Sequence, residues 1–125
     1  MTFTQTLTHH LEAIQNRDLN TFASTLSNSD DLTIILPNGS MIQGFDAVVD
    51  FHRNWFADDD WSMNLELVKQ WQTSDMGTAI YKVAYHDLDP DGTPYQLAYL
   101  LTLIFANEGD EWRLVHDQNT MCSEA

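Results

Sequence analysis

Cysteine is nearly absent from this sequence: a single residue, Cys122, lies close to the end of a 125-residue chain. A lone thiol excludes an internal disulfide framework and any zinc site built on cysteines. No basic residue stands near it to lower its pKa, so it reads as chemically inert. Basic residues are also scarce. Five Lys and Arg face 19 Asp and Glu, for a formal net charge of -14 and a pI near 4.2. A nucleic-acid binder needs a basic footprint, and a peripheral membrane protein needs attraction to anionic lipid; neither partner is expected. No apolar run approaches the ~18 residues of a membrane-crossing helix. The opening MTFTQTLTHH lacks the basic and apolar blocks of a secretory signal, so the expected location is cytoplasmic.

What is present is a core. The chain is 43% hydrophobic, with six Phe, four Tyr and four Trp, and its length suits one domain spanning residues 1–125. No repeat, linker or low-complexity segment interrupts it. Apolar residues at Phe3, Leu7, Leu11 and Ile14 form one helical stripe, which Thr2 or Thr4 would cap. Asp18 caps a short second helix carrying Leu19, Phe22 and Leu26. Leu32 to Leu36 reads as a strand stopped by the turn Pro37-Asn38-Gly39, with a brief return at Met41 and Ile42. Gly44 opens a third helix with Phe45, Val48, Val49, His52, Trp55 and Phe56 on one face. The acidic run Asp58-Asp59-Asp60 that follows reads as a solvated helix end and lacks the spacing of a calcium loop.

Four strands complete the chain: Trp61 to Thr73, Met76 to Asp87, Tyr95 to Ala106, and Glu111 to Thr120. The turn Asp89-Pro90-Asp91-Gly92 joins the second to the third. The order is helix, helix, two strands, helix, four strands. It describes an α+β fold in which one strongly curved antiparallel sheet wraps three helices. The Tyr95 strand is apolar on both faces, with Leu97, Tyr99, Leu101 and Leu103 on one and Ala98, Leu100 and Ile104 on the other. A half-solvated sheet alternates apolar with polar. The second face therefore predicts a homodimer formed through the outside of the sheet.

Three pieces carry a resemblance: Asn16-Arg17-Asp18 after the first helix, Leu36-Pro37-Asn38-Gly39 with Gly44 opening a helix, and the ending EWRLVHDQNT over residues 111–120. In this order they resemble the nuclear transport factor 2-like superfamily, in its SnoaL-like or ketosteroid-isomerase-like branch. The resemblance implies a cone-shaped sheet folded around the helices, a pocket at the open end, and usually a dimer. It says little about chemistry, because this fold hosts isomerases, hydratases, cyclases, hydrolases and non-catalytic modules. The positions matching the general base and oxyanion donors of ketosteroid isomerase are Leu36, His10 and Leu101. A Leu neither abstracts nor donates a proton, so that mechanism is not expected here.

By the register the resemblance implies, odd-numbered residues face the cone interior, among them Tyr81, Tyr85, Tyr95, Tyr99, Asp117 and Asn119. Such a lining suits a small, mostly apolar molecule with a few polar handles. Asp117, a carboxylate among tyrosines, is the expected acid–base group, with Asn119 and a tyrosine hydroxyl orienting the substrate. His10, His52 and Trp55 complete the expected ligand-binding set. His116 falls on the opposite face, where a dimer contact would explain it. Asp117 has a structural alternative too, a pairing with Arg113 or a backbone donor. No metal motif and no cofactor motif is present. Two functions follow. One is a ligand-binding protein, catalytic by isomerisation, hydration or cyclisation. The alternative is a non-catalytic ligand sensor or a dimeric association module.

Overall fold

The computed structural model describes residues 1–122. Helix α1 spans Phe3–Gln15, α2 Leu19–Ser24 and α3 Phe45–Phe56. The strands are β1 Thr33–Ile35, β2 Met41–Gln43, β3 Ser62–Gln72, β4 Met76–Leu88, β5 Pro94–Glu108 and β6 Glu111–Met121. Together they build one curved α+β sheet in the order β2-β1-β6-β5-β4-β3. All neighbours pair antiparallel except β1 on β6, which is parallel and joins the first strand to the last.

Local chemistry explains each helix start. Thr2 accepts from the Gln5 amide while Gln5 reaches back to the Thr2 amide, a reciprocal capping box. Asp18 accepts from the Thr21 amide at 3.1 Å and caps α2. Gly44 precedes α3 with φ +92, a conformation glycine adopts without a Cβ penalty. Its amide is held by the Leu32 carbonyl at 2.8 Å, which ties the helix entry to the β1 side of the sheet.

Phe3, Leu7, Phe22, Leu26, Val48, Val83, Leu103, Phe105 and Leu114 lie in the core between the helices and the concave sheet face. Two register shifts decide what each strand buries. On β6, Ile104 faces His116 but Phe105 faces Leu114, so Val115 is an extra residue. Below it Leu114 points to the core; above it Asp117 does, because one added residue exchanges the two faces of a strand. On β3 the shift falls at Val68 and turns Trp71 to the convex face, where it is 52% exposed.

One cationic contact ties the connections to the roof. Arg17, with φ +55, lays its guanidinium 3.9 Å from the Trp61 ring centre and donates to the carbonyls of Asp58 and Trp61. Trp61 stacks on Trp55 at 4.3 Å and donates its indole N–H to the Trp55 carbonyl. Arg17 thereby anchors the C-terminal end of α3.

Candidate functional site

A cavity of about 300 Å³ opens between α3 and the concave face of the sheet. The sheet contributes Ile34, Met63, Tyr85, Leu97, Tyr99, Leu101, Asp117 and Asn119; α3 contributes Phe51, His52 and Trp55. Ile14 of α1 and the turn residues Leu36, Pro37 and Asn38 complete the wall. The lining is dominated by hydrocarbon and aromatic rings, as small-molecule sites are.

Its polar groups are few and differ in what they have left to offer. Asn119 donates one Nδ2 hydrogen to the Ile35 carbonyl at 2.8 Å and the other to Asp117 Oδ1 at 2.9 Å. Both amide hydrogens are spent, so Asn119 holds Asp117 in place. Asp117 itself is 7% exposed and its second oxygen has no hydrogen-bond partner among the described residues. Burial pushes its carboxyl up to about 7, against the opposing pull of the Asn119 hydrogen bond. Tyr99 shares the cavity; burial, and after it the Asp117 charge, raise its phenol above the usual value.

At the helix side, Trp55 donates its indole N–H to Tyr85 Oη at 3.2 Å, and Tyr85 donates to Asp87 at 2.6 Å. Asp87, at the end of the strand the sequence predicts, thus anchors a chain of hydrogen bonds that starts at the Trp55 indole. His52 Nδ1 lies 2.7 Å from the Val48 carbonyl, an acceptor only, so Nδ1 carries the hydrogen. Burial lowers the imidazole to about 4, with the Val48 bond opposing, and the ring is neutral near pH 7.

The expected residues divide by place. Asp117, Asn119, His52, Trp55, Tyr85 and Tyr99 meet in the cavity. Three others stand outside its lining. Tyr81 shares the inner sheet face but is packed at 9% exposure, while Tyr95, at the hairpin end of β5, is 37% exposed. His10 is fully enclosed behind the cavity: Thr25 Oγ1 donates to the Phe22 carbonyl and so accepts from His10 Nδ1 at 2.7 Å. Its Nε2 has no partner among the described residues, and burial, with the nearby His52, lowers the imidazole to about 3. Arg113 pairs with Glu111 and the Ser24 and Leu26 carbonyls rather than with Asp117. His116 points away from the cavity and bonds Gln118 at 3.1 Å on the same convex face.

Phe51 escapes sequence reading because α3 buries another stripe, and Ile14 because its place on the α1 stripe is explained by core packing alone. Asn38 escapes it because a Pro-Asn-Gly turn is explained by backbone chemistry alone. Leu36 and Leu101, matched by resemblance to isomerase positions, line the wall as hydrocarbon. Among the described residues, carboxylates close enough to share a cation occur at Asp58, Asp59 and Asp60, all exposed. Fully hydrated acids of that kind are ordinary surface. No described helix is long and apolar enough to cross a membrane.

Comparison with known proteins adds a family and a fold. The SnoaL-like domain model matches residues 4–122. None of the curated proteins matches the chain. Among solved structures, one from Thiobacillus denitrificans, named for the calcium/calmodulin-dependent protein kinase type II association domain, superposes with a TM-score of 0.80. It is 20% identical, with 98% of this chain and 96% of that one covered. A ketosteroid isomerase-like protein from Erwinia carotovora atroseptica gives 0.78 at 15% identity, covering 97% and 94%. A nuclear transport factor 2-like superfamily protein from Salmonella enterica gives 0.77 at 16%, covering 98% and 89%. At such identities the likeness concerns the fold.

Proposed function

The chain belongs to the SnoaL-like domain family of the nuclear transport factor 2-like superfamily, and on that premise we propose that it binds a small, mostly apolar molecule in the cavity beneath α3. Where it is catalytic, Asp117 is the acid–base group of a cofactor-free isomerisation, hydration or cyclisation. The observation that carries this reading is the state of Asp117. A carboxyl buried in an apolar cavity, gripped at one oxygen and unpartnered at the other, is costly to fold and useful to a ligand. A merely structural Asp would spend both oxygens on protein donors.

Binding is tested by calorimetry with neutral bicyclic aromatics such as 2-methoxynaphthalene, whose size suits the cavity. Saturable binding is expected in the parent and not in Leu101→Trp, which fills the space. A panel of such compounds with no binder would remove the reading. Given a substrate, an Asp117→Asn variant with full activity would eliminate the assigned acid–base role.

A specific surface favours a second property, association with another copy. The convex sheet face carries Trp71 at 52% exposure, Leu100 at 37% and Met41 at 59%, with Ile80 and Ile104 half-buried between them. We propose that this face forms the homodimer. Isolated apolar residues are normal on a surface, but a contiguous sheet face is an interaction site. Sedimentation at micromolar concentration is expected to give twice the chain mass.

A further inference from the structure

His52 and His10 differ in one atom that the acid–base reading above leaves unused. Both rings donate Nδ1–H, to the Val48 carbonyl and to Thr25 Oγ1, so in both the lone pair sits on Nε2. The Nε2 of His10 is sealed in the core without a partner among the described residues. The Nε2 of His52 likewise has no partner among the described residues, but it is not sealed: the side chain borders the cavity. Its ring is clamped, stacked on Phe22 at 4.1 Å and met edge-on by Phe51, Trp55 and Phe56 at 5.3 to 5.7 Å. The orientation of that lone pair is therefore set before any ligand arrives.

We propose that His52 Nε2 is the proton acceptor of this site, complementing Asp117 across one ligand, and that the ligand is a neutral molecule bearing a hydroxyl or similar donor for His52. The inference rests on the cavity being the ligand site. Three observations agree with it. Among the described residues the cavity wall holds no Lys or Arg, so an anionic group meets no counter-charge from them. The Trp55 indole and the Tyr85 hydroxyl are committed to each other and to Asp87, while the Tyr99 hydroxyl and the Asn38 amide also face the cavity, so His52 brings the one imidazole lone pair among the described lining residues. Burial also reverses the ordinary order of the two titrating groups, Asp117 rising to about 7 and His52 falling to about 4. Environments that push two groups apart mark acid and base.

In a reaction the pair exchanges protons in balance. As Asp117 delivers its carboxyl proton to a carbonyl oxygen of the substrate, Nε2 takes one from the substrate's O–H or activated C–H. Return of a proton from His52 to a second carbon, and of the oxygen proton to Asp117, completes an isomerisation with no co-reactant.

The unmodified protein tests this through its own imidazole nitrogens. With uniform nitrogen-15 labelling at pH 6.5, His52 is expected to show a protonated Nδ1 and an unprotonated Nε2. Adding 2-naphthol should shift the Nε2 resonance upfield, and 2-methoxynaphthalene, which lacks the donor, should bind about tenfold more weakly and leave Nε2 in place. Equal binding of the two, or binding of 2-naphthol with Nε2 unmoved, would overturn the role of His52 while leaving the cavity a ligand site. A protonated Nε2 in the free protein would overturn it as well. If neither compound nor any other neutral bicyclic aromatic binds, the ligand site itself falls, and this inference with it.

Discussion

At the scale of single residues, the pocket depends on how two neighbours on one strand face divide their hydrogen bonds. Asn119 uses both amide hydrogens to fix Asp117 Oδ1 and the Ile35 carbonyl, which leaves the carboxyl one free oxygen. The hydrogen bond from Asn119 favours the charged carboxylate, so removing it should raise an already high pKa. Carbon-13 detected titration of Asp117 is expected to give a midpoint near 7 in the parent and a higher one in Asn119→Leu. A midpoint near the model-peptide value in the parent would show the carboxyl to be hydrated. That Asp117 stands out was legible in the sequence as a lone acid in an apolar strand. That both Asn119 amide hydrogens go to Asp117 and the Ile35 carbonyl was not, since side-chain hydrogen bonds depend on distances no spacing encodes.

At the scale of elements, strand faces are assigned by parity until a bulge reverses it. Val115 and Val68 each insert one residue, so parity counted from one end of β6 or β3 is wrong at the other. The Asp117 half of β6 keeps the expected register, whereas Leu114 and Trp71 exchange faces. Close packing sets another local requirement. A Cβ on Gly77 of β4 would lie 2.7 Å from the Phe3 ring, which itself meets Phe105 at 5.7 Å and Trp112 at 5.4 Å. Gly77→Ala therefore overpacks the junction of α1 with the sheet. Urea unfolding is expected to show a loss of about 1–3 kcal/mol, with the cavity end of the molecule unchanged. Unchanged stability would mean that α1 seats more loosely than the contact indicates.

For the molecule as a whole, three buried groups govern stability against pH. His10 and His52 titrate near 3 and 4 when folded but near 6.5 when unfolded. The unfolded chain binds more protons between those values, so they make stability rise with pH up to about 6.5. Asp117 acts oppositely: folded it titrates near 7, unfolded near 3.8, so its contribution is lost as pH climbs through that window. These three groups together place the maximum near pH 7. In Asp117→Asn the opposing contribution disappears. The variant should gain on the parent by ~1.4 kcal/mol per pH unit between about 4 and 7, measured by urea unfolding across pH. A pH-independent difference would show that Asp117 titrates normally. Assembly belongs to the same scale: Leu100→Lys, at the centre of the convex face, is expected to halve the sedimenting mass without loss of the fold. An unchanged mass would move the interface elsewhere.

The α+β class, the three helices and six strands, their caps and turns, and the family resemblance were all readable from the sequence. Periodicity, capping residues and turn chemistry are local, and short stretches of chain express them without knowing their neighbours. The unusual acid Asp117 was readable too, because polarity inside an apolar strand is a local contrast. The tertiary structure alone decided which tyrosines reach the cavity and that β1 pairs parallel with β6. It also decided that His10 is sealed away while His52 keeps an open nitrogen. Those outcomes are set by sheet curvature, by two inserted residues and by rings stacked from separate elements. Each depends on distances between residues far apart in the chain, and pattern along the chain carries no measure of them.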